Sequence, residues 1–295
     1  MQQSRTFSDR DGADISDATS LSARLRERII DLQHALDRTA AALRSKATPT
    51  RIHAVRVAAR RLRALLHAFR PELDSRSVKQ YRRELKVLTH DLEAAREADV
   101  ARCAIAQLAK EGAADIRSEA DALHERVADE YLSALQRLRS RVAGASWRRR
   151  LSNLQRLSMR ASLAPVNDEP AAIAIIRRVT RARRRLRLAL CHAGKNARRL
   201  HRLRLKVKRV RYLLEDSGEK TPLATDFELK SLQRLQDCLG DMHDEENLRE
   251  SLRARRMPRR ATHSIIEELE RRKHGRFKEF KKCRKDLMKR WRDLD

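Results

Sequence analysis

Glycine and proline supply only seven and six of the 295 residues, where average usage of about 12% would supply roughly 35. So few turn-formers leave long uninterrupted intervals, and those intervals carry apolar residues at three- and four-residue spacing. Aromatic residues are scarce as well, at 3%. Sandwiches, barrels and alternating βα folds need more turns and more strand-forming residues than this. The expected fold class is all-α.

The breaks in the helical pattern fall at 48–50, 71–74, Gly112, Gly144, 164–170, 218–222, Gly240 and Pro258. Thr50 opens a strong helix over 51–70 that stops at Pro71. Asp168, Glu169 and Pro170 supply a cap and a first-turn proline for the next long helix. Residues 1–17 are polar and aperiodic and read as a flexible tail. The segment APVNDEP at 164–170 carries two prolines and reads as a linker between 18–163 and 171–295.

Lysine and arginine total 69 and aspartate and glutamate 41, a formal charge of +28. Such an excess repels itself, and a polyanion would relieve it. No glycine cluster of the phosphate-loop or dinucleotide type is present. The longest apolar run, AAIAII at 171–176, is far short of the roughly 20 residues that span a bilayer. The amino terminus lacks the apolar core of a secretory signal. Cys103, Cys191, Cys238 and Cys283 have no metal-site spacing, so reduced thiols in the cytoplasm are expected.

The most informative feature is a repeat. Residues 53–66 read HAVRVAARRLRALL and residues 201–214 read HRLRLKVKRVRYLL, at a constant offset of 148. A long helical segment precedes each copy, at 21–46 and 171–195. LKVLTHDLEAAREADV (85–100) and LQRLQDCLGDMHDEEN (232–247) follow as looser counterparts. Chance basic helices share composition but not a fixed order of His, Arg and aliphatic positions. The pattern reads as a duplicated helical module.

At about 100° per residue, His53, Arg56, Arg60, Arg63 and His67 share one stripe, opposite Val55, Ala58, Ala59, Leu62, Leu66 and Phe69. His201, Arg204, Lys208 and Arg211 repeat it, opposite Leu203, Val207, Val210 and Leu214, with Arg61 and Arg209 at the flanks. In the next helix Lys79, Arg83, Lys86 and His90 line one face and Val78, Tyr81, Leu85, Leu88 and Leu92 the other. Lys230, Gln233 and Asp237 stand at the second-half counterparts, so the halves should contribute unequally. Most charged helix faces are simply solvated, but ordinary surfaces mix both signs. These stripes lack acidic partners at (i, i+4) and occur twice, which points to a bound anion. Arg177, Arg181 and Arg184 form a further, secondary candidate face.

The carboxylates Asp241, Asp244, Glu245 and Glu246, with Glu97 and Asp99 at the equivalent place, suit helix starts and the positioning of basic side chains. A divalent-metal site is the sharper alternative there. Glu268, Glu270 and Arg272 read as an ordinary solvated face. No histidine pair has metal-site spacing, and no metal or cofactor is expected.

The repeated motif, with its preceding helix and following segment, resembles the CHAD domain, the conserved histidine α-helical domain, from about residue 18 to the carboxyl end. The resemblance implies two pseudo-symmetric helical bundles whose basic helices face a central basic channel. It also implies binding of inorganic polyphosphate and association with polyphosphate granules. The Glu-x-Glu-x-Lys strand signature of the triphosphate tunnel domain that some members carry is absent. By motif position, His53, Arg56, Arg60, Arg63, His201, Arg204, Lys208 and Arg211 take the polyphosphate-binding role, joined by Arg83 and Lys86. Arg61, Arg209, Lys79 and His90 stand second, with the 177–184 face. An RNA- or DNA-binding helical protein is the rival, weakened by the absence of aromatics from the stripes, Tyr212 at one edge excepted. A polyphosphate enzyme would need a positioned nucleophile beside the carboxylates, and none is identifiable, so a binder rather than an enzyme is expected.

Overall fold

The computed structural model describes residues 20–73, 75–163, 170–217, 225–254 and 262–292. The expected tail at 1–17, the linker up to residue 169, the break at 218–222 and Pro258 lie outside these residues. Ten helices account for nearly all of the described chain: α1 (Leu21–Ser45), α2 (Pro49–Ala68), α3 (Arg76–Asp91), α4 (Glu93–Glu111), α5 (Ala114–Ala143), α6 (Ala145–Ser162), α7 (Ala171–Cys191), α8 (Ala197–Ser217), α9 (Asp226–Ala254) and α10 (His263–Arg292). The fold is all-α, and among the described residues the one β-type pairing is an isolated bridge between Ser20 and Pro170.

Local chemistry sets the helix starts. The Ser20, Thr48 and Ser75 hydroxyls accept hydrogen bonds from the backbone N–H groups of Ala23, Arg51 and Val78, capping α1, α2 and α3. Thr48 is the cap of α2, two residues before the expected position, because Pro49 takes the first helical turn, where its missing N–H costs nothing. Pro170 likewise stands at the cap of α7 and not inside its first turn. Gly112 and Gly144 end α4 and α5 as expected. Gly240 does not end anything: α9 runs through it, whereas the first half breaks at Leu92, between α3 and α4.

Helix α1 packs on α2 and α6, and α3 packs on α6; in the second half α7, α8, α9 and α10 pack in succession. The halves meet where α2 packs on α8 and α1 on α7. One large apolar core joins them, with Leu36, Ile52, Leu62, Leu66, Leu85, Leu186, Val207, Leu232, Phe280 and Leu287 all fully buried. A smaller core lies where the α4–α5 pair meets α9 and α10, around Ile105, Ala120, Leu123, Leu252 and Ile265. Glu268 belongs to this second region: it is 8% exposed and its carboxylate takes both Arg271 and Arg272. Of the expected solvated face only Glu268 is buried, drawn in beside Leu269 of the small core, while Glu270 stays exposed and Arg272 is half-buried.

Helix bounds recur at the offset seen in the motif. Shifting α2 by 148 positions gives 197–216, the span of α8 but for one residue, and shifting α5 by 149 gives the span of α10. The α3–α4 pair corresponds to the single helix α9, and α6 has no counterpart among the described residues. No helix among the described residues is long and apolar enough to cross a membrane.

Candidate functional site

Between the two cores lies a cavity of about 1410 Å³, walled by α2, α4, α5, α8 and α9. Burial of Val55, Ala59 and Leu62 on one side of α2, and of Leu203, Val207 and Val210 on one side of α8, turns the opposite faces of these helices inward. His53, Arg56 and Arg60 line the cavity from α2, and Arg204 and Lys208 from α8. Arg96 of α4 and His243 of α9 join them. Two orienting contacts stand out. Arg56 Nη1 donates to the Thr89 carbonyl at 3.0 Å, near the end of α3. The Arg204 guanidinium lies over Gly240, where a Cβ would come within 3.7 Å of it.

These groups crowd one another. Lys208 is only 8% exposed, and its ammonium is pushed down to about 7, first by burial and then by Arg60 and Arg204. Burial lowers Arg56 and Arg204 below the ordinary guanidinium range, and neighbouring arginines add to it. His53 and His201 are lowered by burial and by surrounding cations. His243, whose ring stacks obliquely on His201 with centroids 4.7 Å apart, is pushed down to about 4. A site that disfavours its own cations is one that an anion would stabilise.

Carboxylates share the walls. Glu93 and Glu97 of α4 act on Arg56, and Asp241 and Asp244 of α9 act on Arg204, each opposing the loss of its charge. Burial still outweighs them. Elsewhere in the acidic cluster Asp241 pairs with Arg276 at 3.3 Å, and Glu246 takes both Arg249 and Lys273. Glu245 is pushed up to about 7 by burial. Among the described residues no group of three or more His, Cys, Asp or Glu has the arrangement of a metal site.

The model of the CHAD domain family matches residues 28–253, well over half of the chain. The protein belongs to the CHAD family. Solved structures that share the fold include the following two. The CHAD domain from the plant Ricinus communis superimposes with a TM-score of 0.72 at 20% identity, over 91% of this chain and 92% of that one. PptA from Streptomyces chartreusis superimposes with a TM-score of 0.70 at 16% identity, over 93% of this chain and 100% of that one. No curated protein matches the chain.

Within this CHAD protein the expected residues separate into groups. His201 stands beside the cavity through His243. Arg63 belongs to a second cationic group with Arg82 and Arg209. There His67 is pushed down to about 4 by burial, then by Arg209 and Arg82, and its Nδ1 accepts from Arg82 Nη2 at 3.5 Å. Arg211 departs from the expectation that the stripes lack acidic partners at (i, i+4): it donates to Glu215 of its own helix at that spacing, also to Gln236 of α9, and stacks over Tyr212. Arg61 also reaches Glu215, at 3.6 Å.

Lys79, Arg83, Lys86 and His90 are exposed and do not line the cavity; His90 pairs with Glu93 at 2.8 Å. Arg82, one position before Arg83 and so about 100° around the helix, is an α3 cation whose side chain reaches the α2 stripe, at His67. Arg177, Arg181 and Arg184 are exposed on α7 and also lie outside the cavity lining. Arg96, Arg82 and His243 carry no sequence pattern that marks them as site residues. Arg96 and Arg82 sit in single-copy contexts, and His243 stands inside the acidic segment, so no repeated pattern flagged them.

Proposed function

We propose that this CHAD protein binds inorganic polyphosphate where α2 crosses α8, with Arg56, Arg60, Arg204 and Lys208 as the principal contacts and His53 and His201 beside them. The observation that carries the reading is the convergence of His53, Arg56 and Arg60 from α2 with Arg204 and Lys208 from α8 on one cavity; burial and neighbouring cations lower Arg56, Arg204, Lys208 and both histidines in keeping with it. A linear phosphate polymer has anionic oxygens on every unit and no base to read. Arginine forks can grip two oxygens at once, while lysine acts as a point charge. Rigid helices fix both before binding, which limits the ordering cost.

The carboxylates on α4 and α9 would repel an anion, which supports a position nearer α2 and α8 than the opposite wall. Arg63, Arg82, Arg209 and His67 offer the polymer a continuation beyond the crossing. The reading includes a duplicated module, supported by the ordered motif and by helix bounds recurring at the same offset. Targeting to polyphosphate granules would follow from such binding, and the protein acts as a stoichiometric binder with no turnover.

Nucleic acid is the second reading, favoured only by the charge of +28. Competition separates the two. At matched phosphate and salt, polyphosphate should displace RNA, and affinity should rise with polyphosphate length until the crossing is filled. RNA binding as tightly as long polyphosphate, or affinity independent of length, would overturn the proposal. Release of orthophosphate by the purified protein would overturn the non-catalytic part.

A further inference from the structure

Helix α10 lies beyond the residues matched by the family model and lines none of the cavity. Its apolar side is anchored, with Phe277, Phe280, Leu287 and Trp291 in the main core. On its outer side Lys278, Lys281, Lys282, Lys285, Lys289 and Arg292 are all exposed. At about 100° and 1.5 Å per residue, these six fall in one stripe about 100° wide and about 21 Å long. Glu279 and Asp286 lie outside that stripe. Among the described residues, none of the five lysines is paired with a carboxylate.

Two comparisons set the stripe apart from an ordinary surface, which mixes charges of both signs. The first is internal: at the shift of 149 that brings α5 onto α10, the same six positions of α5 hold Asp129, Leu132, Ser133, Gln136, Ser140 and Ala143. None is basic. The second is local: Lys195, from the α7–α8 connection, places its Nζ 6.0 Å from the Phe277 ring centroid while Lys281 stands 5.2 Å from it. That contact brings a cation from another segment to the stripe's edge.

We propose that the lysine stripe of α10 is a second, surface contact for a linear polyphosphate, so that one protein holds a long chain both at the α2–α8 crossing and on α10. The proposal rests on the polyphosphate reading of the crossing. Lysines on flexible stems suit a mobile chain of phosphates, which needs charge and not a fixed fork. None of the six stripe positions is aromatic or apolar, and the neighbouring exposed ring, Phe227 of α9, has Arg290 of α10 over it at 5.7 Å, so the stripe itself offers neither a base-stacking platform nor a lipid-inserting residue. Two contacts on one chain make the second event intramolecular, so long polymers gain affinity that short ones do not.

The experiment uses the full chain in three forms: wild type, a variant with the five α10 lysines changed to Gln, and the cavity variant Arg60→Gln with Lys208→Met. Glutamine keeps the helix propensity of lysine, and a melting curve checks the fold of each form. Tripolyphosphate and long-chain polyphosphate are titrated at several salt concentrations. The α10 variant should bind tripolyphosphate as wild type does and long chains about tenfold more weakly. Its salt slope for long chains should be smaller by up to about 3.5, taking roughly 0.7 per phosphate neutralised on a single strand for the five lysines. The cavity variant should lose tripolyphosphate but keep weak, salt-sensitive binding of long chains.

Wild-type affinity and slope for long chains in the α10 variant would overturn the second contact. So would an equal loss of short and long ligands in that variant. A cavity variant that binds tripolyphosphate normally would instead overturn the reading of the crossing, leaving the α10 result to be scored on long chains alone. Single-stranded RNA bound on α10 as tightly as long polyphosphate would overturn the assignment of partner.

Discussion

Lys208 of α8 stands across the helix crossing from Arg60 of α2, and after burial it is Arg60 that contributes most to holding the Lys208 ammonium down to about 7. The two positions are separated by the same 148 residues that separate the motif copies. Charge repulsion between the halves is thus concentrated at their meeting point.

This arrangement predicts a pH profile. In the unfolded chain Lys208 keeps its proton up to its ordinary 10.5, whereas in the fold it releases it near 7. Between those values the unfolded state binds more protons, so this group makes stability rise with pH from about 7 toward 10.5. Melting temperature without ligand should rise across that window, and Lys208→Met should flatten the rise. Identical profiles in the two proteins would contradict the assignment. His67 and His243, held near 4, act on the acid side, where stability should fall as pH drops from about 6.5 to 4.

Binding should follow the opposite course. An anion at the crossing favours the charged forms of Lys208, His53 and His201, so complex formation takes up protons. Affinity for polyphosphate should weaken as pH rises above about 7 and strengthen as it falls through the histidine range. Calorimetry in two buffers of different ionisation enthalpy measures the proton uptake directly. No uptake near neutral pH would exclude Lys208 and the histidines from the contact.

Stability and binding should also trade against each other at this residue. Lys208→Met removes a crowded buried cation while keeping most of the volume, and should stabilise the free protein by about 1 kcal/mol. The same change should weaken polyphosphate binding by about tenfold, the equivalent of one charge-assisted contact. Denaturant unfolding and a titration on the same samples check both signs.

Glu228 provides the structural counterpart. It is 2% exposed and accepts from Arg183 Nε at 2.8 Å, from Arg183 Nη2 at 2.5 Å and from Trp291 Nε1 at 3.0 Å, tying α7 and α10 to the first turn of α9. Glu228→Ala removes the buried carboxylate that joins Arg183 to the buried Trp291 indole and should cost about 2 kcal/mol in denaturant unfolding. Tripolyphosphate affinity of the folded fraction should stay as in wild type.

The glycines of α9 and α10 make a matched pair of tests. A Cβ at Gly275 meets nothing within 4 Å, so Gly275→Ala should stabilise by about 0.8 kcal/mol through helix propensity. At Gly240 an added Cβ makes ordinary contact with the Arg204 guanidinium, so Gly240→Ala should be tolerated. Gly240→Leu should displace Arg204 and weaken anion binding while leaving the melting temperature within a few degrees.

Much of this was legible in the sequence because it is periodic. The order of His, Arg and aliphatic residues placed α2 and α8, separated their packing and cationic faces, and pointed to five of the cavity residues, His53, Arg56, Arg60, Arg204 and Lys208. What periodicity cannot carry is which neighbouring helix closes the site. Arg96, His243 and Arg82 approach from α4, α9 and α3, and only the tertiary packing selects Arg82 over Arg83. Gly240 shows the same limit. A glycine in a helical pattern reads as a break, but a helix tolerates one at a cost of about 1 kcal/mol, and here the missing side chain leaves room for Arg204. Glu97, Asp241 and Asp244 were legible as carboxylates that position basic side chains, but which stripe each one faces is set by helices that cross, not by spacing along one of them, and Glu93 carried no such signal.

The most direct test of the central claim is a titration of wild type and the Arg60→Gln, Lys208→Met double variant with tripolyphosphate at pH 7 and fixed salt. Two charge-assisted contacts at about 1.5 kcal/mol each predict affinity roughly a hundredfold weaker in the variant. Affinities within twofold of each other, in a variant that melts as a folded protein, would contradict the account.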